Sequence, residues 1–252
     1  MRESISIVYD GIHLLEENGI QINDDSGLFT EAFIATKTIN EEKIRGKDEP
    51  YYFGVEREPL SFPLSFYFDE SLSDERRREI ARLLDKEYYK PLFSVDDPQR
   101  IYYAMCVDSS QHIHNGIQMG YVTLNFRTNS PYAYSPVYFD EFDFSENTVD
   151  GTEFTFVNNG DMECKPYLSI TMIENGDLKI VNFSNSGQEF KFTSLVKDEI
   201  VTVDCESEEI DSSITYRFDD FNDQYLSFVR GNNYLKIYGK CLIKLKYQFK
   251  MK

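Results

Sequence analysis

Along Leu60 to Phe68 the large apolar side chains Leu60, Phe62, Leu64, Phe66 and Phe68 alternate with Ser61, Pro63, Ser65 and Tyr67. A period of two puts the apolar set on one face of a β-strand. Pro63 has no N–H to give to a ladder, so this strand is expected at an edge or bulged there. The same alternation recurs in Ile5-Ile7-Tyr9, Ile101-Tyr103-Met105-Val107 and Val122-Leu124-Phe126. It continues through Phe154-Phe156, Leu168-Ile170-Met172, Leu178-Ile180, Phe190-Phe192, Val201-Val203, Leu226-Phe228 and Leu235-Ile237. The closing run is Ile243-Leu245-Tyr247-Phe249, with Lys244, Lys246 and Lys250 on the opposite face. Asn175-Gly176 between two apolar runs predicts a type I′ hairpin, because both residues accept a positive φ. Asn115-Gly116, Asn159-Gly160 and Ser186-Gly187 are further turn signals. The second half therefore reads as short antiparallel strands, a β-sandwich.

One segment follows a different period. Ser73 is a good N-cap, Asp74 and Glu75 place negative charge in the first turn, and Ile80, Leu83, Leu84 and Tyr88 share a stripe. This spacing predicts a helix over Ser73 to Tyr88. Arg76, Arg77, Arg78 and Arg82 lie mostly off the stripe, interleaved with Asp74, Glu75, Glu79 and Asp85. A solvated or subunit-facing surface explains them better than a nucleic-acid hook.

Charge narrows the classes. The chain has 252 residues, with 26 Lys+Arg against 44 Asp+Glu and a net charge of −18. Such a chain is not built to grip nucleic acid or an anionic membrane. No apolar run approaches the roughly 20 residues of a membrane helix, and MRESISIVYDG lacks the apolar stretch of a secretory signal. Hydrophobic residues make up 41%, enough for a sizeable core, and the 18 Tyr and 20 Phe favour strands. The excess is uneven, −14 over residues 1–150 and −4 over 151–252, while Lys236 to Lys252 holds six lysines and no acid. That shift points to two domains. The acidic stretch Tyr138 to Glu146, after the proline-bearing Ser130 to Pro136, is the expected joint.

Candidate chemistry is sparse. His112 and His114 would share a strand face, with Asp108 or Cys106 as a third metal ligand, but they lie in a polar segment resembling a hairpin tip. Asp140, Glu141, Asp143 and Glu146, or Asp219, Asp220 and Asp223, are candidate Ca²⁺ ligands, yet neither set has the loop pattern that wraps oxygens around the ion. Surface acidity is the plain alternative. Cys106, Cys164, Cys205 and Cys241 form no C-x-x-C pair and read as buried thiols. The sequon Asn182-Phe183-Ser184 has no use without a secretory route. With only His13, His112 and His114, and with no nucleophile elbow, Walker loop, dinucleotide fingerprint or zinc-protease motif, no catalytic residue, metal site or cofactor is nominated.

An ordered series of pieces carries a resemblance. It runs from Ser6-Ile7-Val8-Tyr9-Asp10-Gly11 through Glu58 to Phe66, the helix from Ser73, Tyr88 to Phe93, Asp97 to Ala104, Gly120 to Arg127 and Ser130 to Ser135. It continues with Asn158-Asn159-Gly160, Lys165 to Ile170, Ile200 to Glu206 and Gly231 to Ile237. In order and spacing these resemble the distal tail proteins, often called Dit, of siphophages and related prophages. The stretch Gln21 to Lys47 departs from that pattern.

The resemblance implies a mainly β structural protein and no enzyme. Residues 1–138 would be an N-terminal ring-forming β-domain with one α-helix, adapting to the tail tube. Residues 146–238 would be a galectin-like antiparallel β-sandwich, with the final strand 241–252 returning to the first domain. The implied role is the hub of a tail tip or baseplate, located in the virion and, during assembly, in the host cytoplasm. Its implied partners are copies of itself in a hexameric ring, the tail-tube protein, a tail-tip or tail-associated lysin protein, and a receptor-binding protein or fibre. DNA would pass through the ring without specific binding, and an acidic first domain would repel its phosphates. The alternative is a carbohydrate-binding β-sandwich for adhesion to host glycans, suggested by the many tyrosines of the second half.

Overall fold

In the computed structural model, residues 6–22, 35–68, 73–107, 112–114 and 120–252 are described. The chain forms two compact units, residues 1–134 with the terminal Lys252, and residues 135–251.

The first unit opens with β1 (Ile7–Tyr9), β2 (Ile12–His13), α1 (Leu14–Asn18) and β3 (Ile20–Ile22). There follow β4 (Lys37–Glu42), β5 (Tyr51–Arg57), β6 (Ser61–Phe68), α2 (Asp74–Leu84), β7 (Lys90–Ser94), β8 (Asp97–Cys106), β9 (His112–His114), β10 (Gly120–Thr128) and β11 (Ala133–Tyr134). Its main sheet runs β2-β1-β7-β8-β10-β6-β3, with β9 also on β10 and β11 on β8. Phe62, Leu64 and Phe66 of β6 are buried, as alternation predicts. β3 pairs with Phe66 to Phe68, so among the described residues Pro63 lies where β6 has β10 alone as a neighbour. In β8 the buried residues are Tyr102 and Ala104 rather than Ile101, Tyr103 and Met105. Both phases of that run are apolar, so the sequence pattern could not choose between them.

Helix α2 is capped by Ser73, whose Oγ accepts from the Arg76 N–H at 3.2 Å, and it buries Ile80 and Leu84. It ends at Leu84, short of Tyr88, because Asp85 is already extended. Lys86 then reaches Asp10 at 3.1 Å, joined by Lys90 at 3.4 Å. Together they hold the Asp10 carboxyl below the usual carboxylate range, Lys86 most strongly. A second helix, α1, was not expected. Its five residues are too few to show a period; His13 Nδ1 accepts from the Glu16 N–H and Gly19 closes it at φ 61°.

The second unit contains β12 (Tyr138–Asp143), β13 (Thr152–Asn158), β14 (Tyr167–Met172), β15 (Gly176–Asn182), β16 (Gln188–Leu195), β17 (Ile200–Asp204) and β18 (Glu209–Ser212). After a 3₁₀ turn at Phe218–Asp220 come β19 (Gly231–Tyr238), β20 (Cys241–Tyr247) and β21 (Lys250–Met251). Sheets β12-β20-β14-β17-β18 and β13-β19-β15-β16 enclose one apolar core. Inward Leu168, Ile170, Phe190, Phe192, Val201 and Val203 are fully buried, and Phe156 stacks on Phe228 with centroids 4.0 Å apart.

Several expectations are corrected here. The acidic stretch Tyr138 to Asp143 is a sandwich strand, not a joint: Tyr138 and Phe142 pack on the core while Phe139, Glu141 and Asp143 face out. The division falls earlier, at residues 134 and 135, inside the proline-bearing segment. Within the closing run, Cys241 to Tyr247 is a sandwich strand that pairs with β12 and β14. Finally, Asn175-Gly176 makes no hairpin, because β14 and β15 belong to different sheets. Asn175 does not take a positive φ; its Oδ1 accepts from the Lys197 N–H at 2.7 Å. The two-residue turn of this kind is Asp10-Gly11, with φ 53° and 79°, joining β1 to β2. Leu226 and Phe228 are buried but form a single bridge, Cys164 to Phe228, rather than a strand.

Buried polar groups fix the sandwich loops. The Asn182 amide donates to Ser227 O and Asn233 Oδ1, so the sequon asparagine is interior. Asn147 donates to the carbonyls of Ile237 and Gly239, both at 2.9 Å. Glu199 is buried and accepts from Arg217 Nε at 2.7 Å, Arg217 Nη2 at 2.8 Å and Ser212 Oγ at 2.6 Å. Burial pushes the Glu199 carboxyl up, but the Arg217, Ser212 and Val196 hydrogen bonds outweigh it and hold it below the usual range. Arg217→Ala leaves that carboxylate without its cation and is expected to cost about 3–5 kcal/mol in urea unfolding. A depressed folded-state carboxyl stabilises above its unfolded value, and the gain is lost as pH falls through the folded value. Wild-type protein should therefore lose stability on acidification more steeply than Glu199→Gln.

Candidate functional site: an exposed hairpin

Among the described residues, strands β4 and β5 pair only with each other. Their sequences, Lys-Thr-Ile-Asn-Glu-Glu and Tyr-Tyr-Phe-Gly-Val-Glu-Arg, suit strands, and the second is rich in aromatic and β-branched residues. The register puts Ile39 opposite Val55 and Glu41 opposite Tyr52, with a bulge after Asn40 that admits Phe53. Directly opposed residues share a face, so Ile39, Val55 and Tyr52 form one apolar strip. None of residues 35–58 is buried; Ile39 is 58% exposed, Tyr52 65% and Phe53 69%. Polar links are local: Asn40 donates to Glu56 at 2.8 Å and the Lys47 ammonium sits 4.0 Å from the Tyr51 ring centre.

A lone two-stranded ribbon is marginal in water, and one that shows aromatic residues on its surface is a surface for association. The sequence reading passed over this hairpin, half of which lies in the Gln21 to Lys47 stretch. The signal was the run Tyr51-Tyr52-Phe53-Gly54-Val55, whose adjacent aromatics obscure an alternating pattern.

The residues singled out for chemistry are not brought together. Strand β9 carries His112 and His114 opposite Val122 and Gly120, Cys106 packs against the first core, and Asp108 lies outside the described residues. Among the described residues no group of three or more His, Cys, Asp or Glu is placed to hold a metal ion. Asp140 accepts from Tyr247 Oη at 2.8 Å, while Glu141 faces the other way and meets Lys244 at 2.8 Å. Asp143 accepts from the Ser145 N–H at 2.8 Å, and the hydrogen bonding of Ser145 lowers its pKa. Glu146 is exposed. Asp220 is bound to Arg217 at 2.8 Å, whereas Asp219 and Asp223 are exposed. His13 caps α1. Cys164, Cys205 and Cys241 are buried, and burial pushes each thiol up to about 12. An apolar cavity of about 10 Å³ between Phe142, Phe154 and Phe228 is far below the size of a ligand site.

Comparison with known proteins decides the family. A family model described as phage tail protein N-terminal domain matches residues 2–130, and one described as phage tail C-terminal domain matches residues 132–247. The chain belongs to the phage tail protein family. A curated relative from Bacillus subtilis strain 168, the SPβ prophage-derived uncharacterized protein YomH, is 33% identical over 252 residues, covering 99% of each chain. Among solved structures, this tail protein has the fold of Dit from phage SPP1, described as a paradigm of the hub adsorption apparatus in phages infecting Gram-positive bacteria. That likeness has a TM-score of 0.73 at 15% identity and covers 97% of this chain and 98% of SPP1 Dit. A chain of the phage P2 baseplate, in its activated conformation with Ca, is similar with a TM-score of 0.51 at 10% identity over 97% of each chain.

Because the hairpin shares no core, polar substitution there should leave the isolated tail protein intact. Ile39→Asp with Val55→Asp is expected to shift unfolding free energy by no more than about 0.5 kcal/mol. Urea unfolding at low protein concentration measures this.

Proposed function

We propose that this tail protein is the hub of a phage tail tip: a ring of copies, hexameric as in the distal tail family, joining the tail tube to the tip proteins. The observation that carries this reading is the fold likeness to SPP1 Dit along nearly the whole of both chains, extending through both units. The hairpin adds support, since a ribbon with apolar residues on its surface suits packing against the next copy in a ring.

In this reading the protein works by geometry, not catalysis. The first unit surrounds a passage for DNA, and its excess of acids, 23 against 14 bases over residues 1–134, repels the phosphates rather than gripping them. The second unit offers the surface to which receptor-binding and tip proteins attach. The protein resides in the virion at the distal end of the tail, after assembly in the host cytoplasm. A second reading, adhesion to host glycans, draws on one row of the sandwich surface. There Phe139 and Tyr167 flank Lys246 across β12, β20 and β14, with Phe139 exposed.

Electron microscopy and light scattering of the purified full chain test the hub reading. Closed rings are expected from the wild type and monomers from the Ile39→Asp, Val55→Asp variant. A wild type that stays monomeric at high concentration and forms no rings would count against it. Binding on an array of wall glycans, lost in Phe139→Ala, would favour the second reading.

A further inference from the structure

The sheet containing β18 ends at that strand, which pairs on one side only, with β17. The edge at β16 of the facing sheet is different: Asn222 Oδ1 accepts from the Lys191 N–H at 3.0 Å and Gln224 Oε1 from the Glu189 N–H at 3.3 Å. Residues 222 and 224 thus cover β16, whereas among the described residues no strand covers β18; there Tyr225 Oη donates to Glu208 O at 2.9 Å and Asp211 Oδ1 accepts from the Ser212 N–H at 2.9 Å, two local bonds that an added strand would have to accommodate.

Beside the open edge lies an apolar patch. The Ser213 N–H donates to Ile200 O at 2.9 Å, pairing Ile200, 44% exposed, with the residue that precedes Ile214, 55% exposed. Tyr216 is 69% exposed and stacks on Phe218 with centroids 5.1 Å apart. Arg217, between them, is the residue gripped by buried Glu199, so the segment that presents Tyr216 is anchored from below.

The charge here is one-sided. Residues 204–223 hold eight acids and one base, Arg217, which is already paired with Glu199 and Asp220. The remainder of residues 135–252 holds thirteen acids and eleven bases. The negative charge of the sandwich is therefore concentrated along this edge. Glu209 and Asp211 stand on the outer face of β18, while Ile210 packs on the core. Two copies meeting edge to edge would oppose like charges, so self-pairing is disfavoured.

We propose that the β18 edge takes an extended, lysine- or arginine-rich segment of another protein as an added strand. Its basic side chains lie opposite Glu209 and Asp211, and the alternate apolar ones extend the core beyond Ile210 and rest against Ile214 and Tyr216. Main-chain hydrogen bonds supply adhesion, and the charge pattern sets the choice of segment. This stands on the sandwich alone and holds whether or not the chain forms rings.

The test uses the full chain with a short peptide of alternating Lys and Val, and its Glu-Val counterpart as control. Hydrogen exchange followed by mass spectrometry should show slowed amides in residues 209–214 with the Lys-Val peptide only. Glu209→Lys with Asp211→Lys, both exposed, should weaken binding at least about tenfold, with melting temperature and oligomeric state as in wild type. Added salt should weaken binding to the wild type. Failure of the Lys-Val peptide to bind, equal protection by both peptides, or protection mapped elsewhere would overturn the proposal and leave the acids as guards against aggregation.

Discussion

Burial of one face of each strand against an apolar core is the constraint on which both units depend. An antiparallel sheet can leave its second face in water, so every other side chain is released from packing and becomes surface. In the sandwich this produces fully buried Leu168, Ile170, Val201 and Val203 beneath a skin of lysines and acids. In the first unit it draws Tyr9, Phe66 and Phe126 together edge to face, with the Tyr9 hydroxyl donating to Ala104 O at 3.3 Å. Helix α2 adds Ile80 and Leu84 to that core rather than forming one of its own.

Against this constraint the β4–β5 hairpin is the exception. Its ladder is continuous apart from the bulge after Asn40, but among the described residues its side chains join no buried core. A natural edge or ribbon that shows Tyr52 and Phe53 on its surface risks aggregation unless a partner covers it. In the proposed ring each copy would cover the next, satisfying every hairpin and leaving none over. The acidic sandwich edge solves the same problem by another route, repelling its own kind while remaining open to an opposite charge.

Most of the fold was legible in the sequence, because a period of two survives wherever one face is polar. The strands at Phe62 to Phe66, Leu168 to Met172 and Ile243 to Leu245 follow their pattern residue by residue. Pattern failed where both faces are apolar: in β8, Ile101 to Cys106 offers two equivalent phases, and only packing chooses Tyr102 and Ala104. It also failed where local chemistry was overruled by sheet membership. Asn175-Gly176 has the residues of a tight hairpin, but its flanking strands lie in different sheets, while the less prominent Asp10-Gly11 makes the turn. The Tyr138 to Asp143 stretch looked like a linker because acids outnumber its other polar residues, yet its aromatics keep strand spacing. The hairpin was missed because an unburied ribbon need not alternate. Five residues of α1 are below any detectable period.

The central claim is that this phage tail protein closes into a ring at the end of the tail. A reconstruction of intact tails by cryo-electron microscopy tests it most directly. The account predicts a closed ring at the distal end of the tube, fitted by both units, with each β4–β5 hairpin packed on the adjacent copy. Absence of both units from that position, or a ring in which the hairpins point into solvent, would contradict it.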